Sequence, residues 1–338
     1  MAERFNRKIK VGIIGLGVGE AHLRSYQSIA DCEVAMVCDI NPARAEEIAN
    51  QYHVSGRCTD YRQITEHKDI DIVSICSYDD CHAEQVLSAL RHGKHVMVEK
   101  PVVLHPQESE QIIKELESSG LFITSNLILR HSPRFKEVKK MVFEGQLGEV
   151  FHIEGDYLHQ ILWKITEGWR GKMDFYCTVY GGGIHLIDLM RWIMDQEILE
   201  VCSMGTNIPV RGGGYKFQDT ITALLKWEHG ATGKSTSTLA PQRTKFHSLN
   251  VYGTEKTFVN DIPNAKVFSS DDPKDEQVIL TPYPAFEKGD LLPEFVEGIR
   301  QGRRPLVNEV DIFRVMNVCF AIHESLQKQK TIPVIYQI

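Results

Sequence analysis

The first third of the chain alternates short apolar runs with segments of helical periodicity. The apolar runs at 11–14, 34–38 and 70–76 are rich in Val and Ile, and the segment 106–118 repeats apolar residues at helical spacing. Such alternation is typical of parallel strands joined by crossover helices. The pattern therefore predicts an N-terminal α/β domain, a doubly wound parallel sheet with helices on both faces, over residues 1–126.

The pattern changes after residue 126. Stretches with an apolar residue at every second position occupy 150–157, 221–227 and 248–252. No helical segment separates the last two, which favours an antiparallel or mixed sheet over further crossover units. We therefore expect a second, α+β domain over residues 127–338, built on an antiparallel or mixed sheet. Helical patterns at 291–301 and 309–327 close it and are candidates for packing back on the first domain.

Composition and charge narrow the class of protein. The chain has 338 residues, which exceeds the usual size of a single hydrophobic core, and its contents of hydrophobic residues (42%) and charged residues (25%) are ordinary for a globular protein. The formal net charge is −7 without a basic cluster, so a nucleic-acid partner is not expected. No apolar run approaches the roughly 20 residues that span a bilayer, and the eight cysteines lack paired metal-site spacing. We expect a cytoplasmic protein without a membrane or metal partner.

A glycine-rich turn follows the first predicted strand. Gly15, Gly17, Val18 and Gly19 lead directly into a helical pattern. Glycines let a pyrophosphate approach the backbone, and a helix N-terminus offers unpaired amides, so these four residues are candidate cofactor ligands. The third glycine comes one residue early and Glu20 holds its usual place, so we infer a shorter turn with Glu20 directed away from the phosphates.

An acidic residue at the end of the second strand strengthens the dinucleotide interpretation. Asp39 lies 24 residues after Gly15, near the expected offset of about 20 for the acid that binds the adenosine ribose. Its charge would repel a 2′-phosphate, so NAD is favoured over NADP, although Arg44 nearby is compatible with NADP. The alternative is an ordinary β-turn that binds no nucleotide.

A lysine ends another apolar strand. The segment 94–101 reads Lys-His-Val-Met-Val-Glu-Lys-Pro, and the proline stops the strand and leaves Lys100 at its carboxyl end. Ligands of open parallel sheets bind at that edge. Partial burial lowers the cost of releasing a lysine proton, so Lys100 is a candidate hydrogen-bond donor and proton carrier. The alternative is a lysine that extends its head group into solvent.

Other strand ends supply further candidates for the cofactor cleft. They are Ser77, His82, Glu99 and Asn126, and Lys100 itself is also a candidate cofactor contact. Asp79 follows the same strand end as His82, but it is equally suited to cap the next helix.

A second constellation lies in the second domain, where Gly181, Gly182 and Gly183 precede a helical pattern. His185 and Asp188 are three residues apart and share a helix face. An aspartate beside a histidine can fix its tautomer and stabilise its protonated form, so both are candidate catalytic residues. The glycine amides are candidates for binding an anion. The alternative is a packing histidine, with Asp188 paired to Arg191 at the surface.

Together these motifs resemble the Gfo/Idh/MocA family (glucose-fructose oxidoreductase, inositol dehydrogenase and rhizopine catabolism proteins) over nearly the whole chain. The residues that carry the resemblance are the Gly15-Leu16-Gly17 turn, Asp39, the Gly93-Lys94-His95 and Glu99-Lys100-Pro101 segments, Asn126, Arg130 and the His185-Leu186-Ile187-Asp188 helix. The resemblance implies a Rossmann domain, a nicotinamide cofactor and a sugar, cyclitol or sugar-nucleotide substrate. It also implies a homodimer or homotetramer with oligomer contacts through the open sheet.

Residue roles carried over from the family give a mechanism. Lys100 matches the lysine that contacts the reacting oxygen, and His185 matches the frequent acid/base. Gly181 occupies a position where many members have an aspartate, so one expected hydroxyl ligand is missing and Asp188 is left as the nearby acid.

We therefore predict hydride transfer between nicotinamide and a secondary alcohol or ketone. Candidate substrate-binding residues are Arg130, Tyr157, Trp163, Trp169, Arg170 and Gly181, with Lys164 beside them. Each of the aromatic and cationic side chains has an alternative role in packing or at the surface. Two other functions stay open: an NAD-dependent glycosidase that oxidises its substrate transiently, and a non-catalytic nucleotide sensor.

Overall fold

The computed structural model describes residues 7–338, which divide into two compact units. The first unit contains residues 7–128, 287–313 and 338, and the second contains 129–286 and 314–337. The first boundary thus falls at residue 128, and a later segment of the chain returns to the first unit.

The first unit contains a six-stranded sheet in which every neighbouring pair of strands is parallel. Its strands are β1 (Ile9–Ile14), β2 (Cys32–Cys38), β3 (Gly56–Cys58), β4 (Ile72–Ile75), β5 (His95–Val98) and β6 (Ile123–Ser125). Its helices are α1 (Gly19–Ser28), α2 (Pro42–Gln51), α3 (Arg62–Thr65), α4 (His82–Arg91), α5 (Pro106–Ser119) and α9 (Leu292–Gln301). The spatial order is β3-β2-β1-β4-β5-β6. The predicted doubly wound parallel sheet is confirmed.

The strand order of this sheet reverses direction between β1 and β4. In open α/β sheets such a reversal leaves a crevice at the carboxyl ends of the two strands, where ligands bind. Gly15 follows β1, Cys76 follows β4, and Glu99 with Lys100 follows β5. The sheet therefore brings the glycine turn and the predicted lysine to one edge.

Helix α9 belongs to the first unit although it lies far along the chain. Leu292 and Phe295 of α9 are fully buried in the same apolar cluster as Leu23 and Tyr26 of α1. A fully buried Leu or Phe contributes about 1.5–3 kcal/mol relative to an exposed one. The returning segment therefore completes the core of this unit.

The second unit is built on a nine-stranded mixed sheet. Its strands are β7 (Val150–Leu158), β8 (Ile198–Thr206), β9 (Thr220–Trp227), β10 (Thr232–Thr238), β11 (Phe246–Gly253), β12 (Thr257–Val259), β13 (Ala265–Phe268), β14 (Glu276–Ile279) and β15 (Ile332–Pro333). The spatial order is β14-β13-β12-β11-β7-β10-β9-β8-β15. The β7–β10 pair is parallel and the other pairs are antiparallel, as the prediction of a mixed sheet required.

Three helices accompany this sheet, and a fourth runs across the boundary between the units at residue 313. The three are α6 (Pro133–Phe143), α7 (Trp163–Thr166) and α8 (Ile184–Met194), and the fourth is α10 (Glu309–Lys328). Side chains alternate between buried and more exposed along β7, β9 and β10. A Cβ on Gly155 of β7 would lie 2.9 Å from the sulfur of Met190, so this glycine allows α8 to approach the sheet closely.

No helix within residues 7–338 combines the length and the apolar character needed to cross a lipid bilayer. In the same part of the chain, no cluster of three or more His, Cys, Asp or Glu side chains has an arrangement that would hold a metal ion.

Candidate active site

The glycine turn of the first unit lies directly against the end of β4. Gly15 has a φ of 85°, and a Cβ there would lie 2.5 Å from the carbonyl oxygen of Cys76, so no other residue fits. A Cβ on Gly17 would meet nothing within 4 Å, which leaves open space above the turn. Helix α1 begins at Gly19, immediately after Val18. Open space beside a helix N-terminus suits the pyrophosphate of a dinucleotide.

Asp39 is fixed at the end of β2 by two backbone amides. Its Oδ2 accepts a hydrogen bond of 2.9 Å from Leu16 N, and its Oδ1 accepts one of 2.9 Å from Asn41 N. Each carboxylate oxygen has a second lone pair for a hydroxyl donor. The contact with Leu16 also ties the acid to the glycine turn, as a ribose ligand next to a pyrophosphate site requires.

Glu20 and Arg44 face each other beside this turn. Arg44 Nη2 donates to Glu20 Oε2 at 2.6 Å, and Arg44 Nη1 donates to Glu47 Oε2 at 2.9 Å. The hydroxyl of Tyr52 donates to Glu20 Oε1 at 2.6 Å and, with Arg44, lowers the pKa of Glu20. Glu20 is therefore directed at Arg44 and Tyr52, and the guanidinium that would suit a 2′-phosphate is bound by two carboxylates.

The end of β5 carries Glu99 and the partly exposed Lys100. Glu99 Oε1 accepts a hydrogen bond of 2.7 Å from Asn126 Nδ2, and Glu99 Oε2 lies 3.3 Å from the main-chain nitrogen of Lys100. Asn126 is 4% exposed, and its Oδ1 is buried without a hydrogen-bond partner. That oxygen is available to a donor on a bound group, such as a nicotinamide amide or a ribose hydroxyl.

His82 and Ser77 make hydrogen-bond contacts that hold the loop after β4. The Nδ1 of His82 lies 2.7 Å from the carbonyl oxygen of Pro101, and its Nε2 lies 3.3 Å from that of Ser77. The hydroxyl of Ser77 donates to Gln85 at 2.7 Å. The buried His82 ring thus links the loop after β4 to the chain that follows Lys100. Its observed contacts position the loop, and its predicted contact with the cofactor stays a prediction.

In the second unit, His185 is on the one side of α8 that is not enclosed. Of residues 184–194, only His185 and Trp192 are not buried. Gly181 lies one turn before His185 and is also partly exposed. The helix therefore presents the predicted acid/base at an accessible surface, whereas Asp188 lies inside the unit.

The three glycines before His185 are required by close contacts. A Cβ on Gly181 would lie 2.1 Å from the hydroxyl of Tyr176, and one on Gly182 would lie 2.4 Å from the ring of Tyr157. The segment Val179–Gly183 is a π-helical turn that continues into α8, and the amide of Gly181 donates to the carbonyl of Cys177. The expectation that the Gly181 amide is free to bind an anion is therefore wrong, because that amide is used inside the helical turn.

An aromatic cluster surrounds His185. The ring of Tyr157 stacks on His185 with a centroid distance of 6.2 Å, and the ring of His247 lies 6.4 Å from it in an edge-to-face arrangement. The hydroxyl of Tyr157 lies 2.9 Å from Nδ1 of His159. Burial raises the pKa of Tyr157 to about 12, so its phenol stays protonated at neutral pH.

His247 is held neutral within this cluster. The hydroxyl of Tyr283 accepts from the His247 main-chain nitrogen at 2.8 Å, and it lies 2.8 Å from the ring Nδ1. Because the phenol keeps its own proton to donate, Nδ1 is assigned as the acceptor and Nε2 carries the ring proton. Burial, together with the charges of Lys245 and His159, lowers the pKa of His247 to about 3.

Arg130 and Asp188 pair inside the second unit. Arg130 Nε and Nη2 donate to the two oxygens of Asp188 at 2.9 and 2.6 Å, and both side chains are buried. Arg191 instead makes a two-pronged contact with Glu197 at 2.8 and 2.6 Å. The alternative in which Asp188 pairs with Arg191 at the surface is therefore wrong. The predicted roles of Asp188 in catalysis and of Arg130 in substrate binding stay predictions.

The remaining predicted substrate ligands lie on and after α7. Trp163 is exposed, and the ammonium group of Lys164 lies 5.6 Å from its ring centroid. The guanidinium of Arg170 lies 4.1 Å from the ring centroid of Trp169. Arg170 also acts electrostatically on Tyr157, which places this cation near the aromatic cluster.

Several side chains at these sites were not predicted from the sequence. They are His159, His247 and Tyr283 in the cluster around His185, and His22 of α1, whose Nε2 lies 3.4 Å from Glu99 Oε1. The pairing of β11 with β7 places His247 opposite Tyr157, so knowledge of the strand register would have found it. His159 follows Tyr157 by two residues and thus extends from the same side of the strand.

Known protein families match segments of both units. Residues 9–127 match the family described as "Oxidoreductase family, NAD-binding Rossmann fold". Residues 135–259 match the "GFO/IDH/MocA C-terminal domain". The chain belongs to the Gfo/Idh/MocA family. It is therefore an oxidoreductase whose first unit is NAD-binding, as the sequence motifs predicted.

Relatives within the Gfo/Idh/MocA family are distant but extend over most of the chain. Myo-inositol 2-dehydrogenase of Thermotoga maritima is 23% identical over 96% of this chain and 98% of its own length. Levoglucosan dehydrogenase of Pseudarthrobacter phenanthrenivorans is 25% identical over 92% and 90%. A solved structure of levoglucosan dehydrogenase in complex with NADH has a TM-score of 0.86 and 22% identity, covering 98% of this chain and all of that one. That similarity supports the fold.

Proposed function

We propose that this protein is an NAD-dependent dehydrogenase that transfers a hydride between nicotinamide and a secondary alcohol or ketone of a sugar or cyclitol. One observation carries the proposal. The glycine turn, Asp39 and Lys100 lie at the carboxyl edge of one parallel sheet, where a dinucleotide binds in this fold. Relatives named for inositol and levoglucosan support the substrate class.

The residues of the first unit fit the cofactor. Gly15, Gly17 and the start of α1 would hold the pyrophosphate, Asp39 the adenosine ribose, and Asn126 Oδ1 a donor group near the nicotinamide. NAD is favoured over NADP because Asp39 repels a 2′-phosphate and Arg44 is bound by Glu20 and Glu47. Bound NAD supplies the hydride acceptor.

The protein's part is to orient the substrate and to move a proton. We assign Lys100 to donate a hydrogen bond to the reacting oxygen, which becomes carbonyl-like as the hydride leaves. We assign His185 to carry the proton of that oxygen, because it is the one titratable side chain of α8 that is not buried. Tyr157 and His247 pack around His185 and limit the movement of its ring.

The test separates cofactor binding from turnover. NADH affinity is measured by calorimetry, and absorbance at the NADH band is followed over a panel of cyclitols, anhydrosugars, hexoses and sugar nucleotides. Lys100→Met and His185→Gln are each expected to lower kcat by about 10²–10⁴-fold, the usual contribution of a proton-transfer group. NADH affinity is expected to change little.

Matched controls make the same substitutions elsewhere in each unit. Lys68→Met and His229→Gln replace exposed residues, so both are expected to retain full activity. Near-normal turnover by Lys100→Met would reject its role. NADH binding without oxidation of any member of the panel would instead favour a nucleotide sensor. Release of an aglycone without accumulation of NADH would indicate the glycosidase reaction.

The quaternary state is a separate proposal. We propose a homodimer or homotetramer, on the strength of the family resemblance, and light scattering of the purified protein measures it directly. A monomer at micromolar concentration would contradict this proposal and leave the assigned chemistry unaffected.

A further inference from the structure

A buried ionic cluster in the first unit has no part in the reaction as proposed. His22 of α1 has no exposed surface, and its Nδ1 lies 2.9 Å from Ser74 Oγ and 3.3 Å from Cys76 Sγ. Its Nε2 lies 3.4 Å from Glu99 Oε1. Charged side chains are seldom buried unless they are paired. The pairing of His22 with Glu99 therefore needs an explanation.

Both partners of this pair are charged at neutral pH. Burial alone would lower the pKa of His22, but contacts with Cys76 and Glu99 outweigh it and raise the pKa to about 10. Burial alone would raise the pKa of Glu99, but His22, the charge of Lys100 and the Asn126 amide outweigh it and lower the pKa well below its ordinary value. An imidazolium thus faces a carboxylate.

The pair is enclosed by side chains from four elements. The polar and titratable groups next to it are Ser74 of β4, Cys76 directly after β4, Lys100 after β5 and Asn126 after β6. Tyr26 of α1 lies next to Ser74 and Cys76. Burial raises the pKa of Tyr26 well above its ordinary value, so its phenol is neutral. Lys100 is thus a cation next to a pair whose own charges cancel.

Glu99 connects this pair to Lys100 in two ways. Its Oε2 lies 3.3 Å from the main-chain nitrogen of Lys100, so the position of the carboxylate affects the position of the lysine backbone. Its negative charge also acts on the lysine ammonium group, as the effect of Lys100 on the pKa of Glu99 shows. Any residue that holds or neutralises Glu99 therefore acts on Lys100.

We infer that His22 is a positioning residue for Lys100: its imidazolium fixes and neutralises the Glu99 carboxylate, and the pair thereby controls how firmly Lys100 holds its proton. The inference rests on the proposed function in assigning Lys100 to the reacting oxygen. Loss of the His22 charge leaves a lone carboxylate beside the lysine, which then holds its proton more firmly. Loss of the Glu99 charge leaves a lone imidazolium, and the lysine holds its proton less firmly.

The experiment follows Lys100 directly and needs no turnover. Protein labelled with carbon-13 at lysine Cε is titrated by NMR, and the Lys100 signal is the one that Lys100→Met removes. Relative to the wild type, the titration midpoint is expected to rise by about one pH unit in His22→Gln and to fall by about one in Glu99→Gln, as a single nearby charge produces. The double variant, which removes both charges, is expected to titrate near the wild-type midpoint.

A control variant distinguishes charge from packing. Tyr26→Phe removes a buried hydroxyl from the same helix, one turn after His22, without changing any charge, and is expected to leave the midpoint unchanged. Should Glu99→Gln fail to fold, Asn126→Asp adds a negative charge beside Glu99 and is expected to raise the midpoint. The inference is overturned if folded His22→Gln does not raise the midpoint, if folded Glu99→Gln does not lower it, or if Asn126→Asp, used in place of Glu99→Gln, does not raise it.

The outcomes for this inference and for the proposed function are separable. If the wild type oxidises a substrate, the alkaline limb of its pH–rate profile is expected to move with the NMR midpoint in each variant. Opposite NMR shifts without any turnover by the wild type would reject the dehydrogenase proposal and leave the electrostatic effect on Lys100 established. Turnover by the wild type without opposite NMR shifts would reject the inference about His22 and leave the dehydrogenase proposal standing.

Discussion

Arg130 and Asp188 form a two-pronged ion pair that is buried within the second unit. Removing one partner of such a pair leaves an uncompensated buried charge, which typically costs about 3–5 kcal/mol. Asp188→Asn is therefore expected to lower the free energy of unfolding by this amount, as measured by urea denaturation. The double variant Arg130→Met with Asp188→Leu removes both charges and is expected to recover much of the loss. Full stability of Asp188→Asn with loss of turnover would favour the catalytic role predicted from the sequence.

The preference for NAD is expected to depend on two carboxylates. Asp39→Ser removes the repulsion of a 2′-phosphate, and Glu20→Gln removes one of the two carboxylates that bind Arg44. The double variant is expected to improve the affinity for NADPH relative to NADH by about tenfold or more, equivalent to ~1.4 kcal/mol. Calorimetric titration with both nucleotides measures the ratio.

Glu46→Gln is the control for this comparison. Glu46 lies on α2, as Glu47 does, but it pairs with Arg57. It is therefore expected to leave the NADPH-to-NADH ratio unchanged. An unaltered ratio in the Asp39→Ser, Glu20→Gln double variant would show that cofactor preference is set elsewhere.

The His22–Glu99 pair makes stability depend on pH in a defined direction. The folded-state pKa of His22, about 10, is above its ordinary value of 6.5, so its contribution is complete below pH 6.5 and is lost as the pH rises through 10. The pKa of Glu99 is lowered, so its contribution is present above its ordinary 4.5 and is lost as the pH falls. Urea denaturation of the wild type and His22→Gln is expected to show a stability difference on the order of 2 kcal/mol at pH 6 that shrinks toward pH 10. A difference that grows with pH would contradict the assigned charges.

Substitution of Gly181, one turn before His185, by a residue with a side chain is expected to be destabilising while Tyr176 is present. Gly181→Ala would place its Cβ 2.1 Å from the Tyr176 hydroxyl, and overpacking of this kind costs about 1–3 kcal/mol. In a Tyr176→Leu background the same substitution is expected to cost less, because the hydroxyl and ring edge are gone. Gly213→Ala is the control, since its Cβ would approach nothing closer than 3.3 Å. Equal costs of Gly181→Ala in both backgrounds would contradict the contact.

The first unit was predictable because its signals are local. A strand, a glycine turn, a helix and an acid at the end of the next strand are all visible within residues 9–39, and parallel sheets bring successive strand ends to one edge. Periodicity also identified the mixed sheet of the second unit. The return of α9 to the first unit does not follow from the sequence, because an apolar helix face does not specify which of two cores it packs against.

Side-chain partners were harder to predict because they depend on tertiary contacts. Asp188 is three residues from both His185 and Arg191, yet its observed partner is Arg130, 58 residues earlier. His22 lies in the middle of α1 and resembles any packing histidine until the end of β5 is placed beside it. Sequence spacing finds pairs on one helix, and it carries no information about which strand end a helix will meet.

The return of α9 means that the dinucleotide-binding unit is not a contiguous module. A fragment ending at residue 128 would contain all six strands and still lack Leu292 and Phe295, which fill the core beside Leu23 and Tyr26. Such a fragment would expose hydrophobic side chains of α1 to solvent and tend to self-associate. The gene segment encoding the parallel sheet is thus poorly suited to being cut out and fused to another protein, because it needs a helix encoded more than 160 codons downstream.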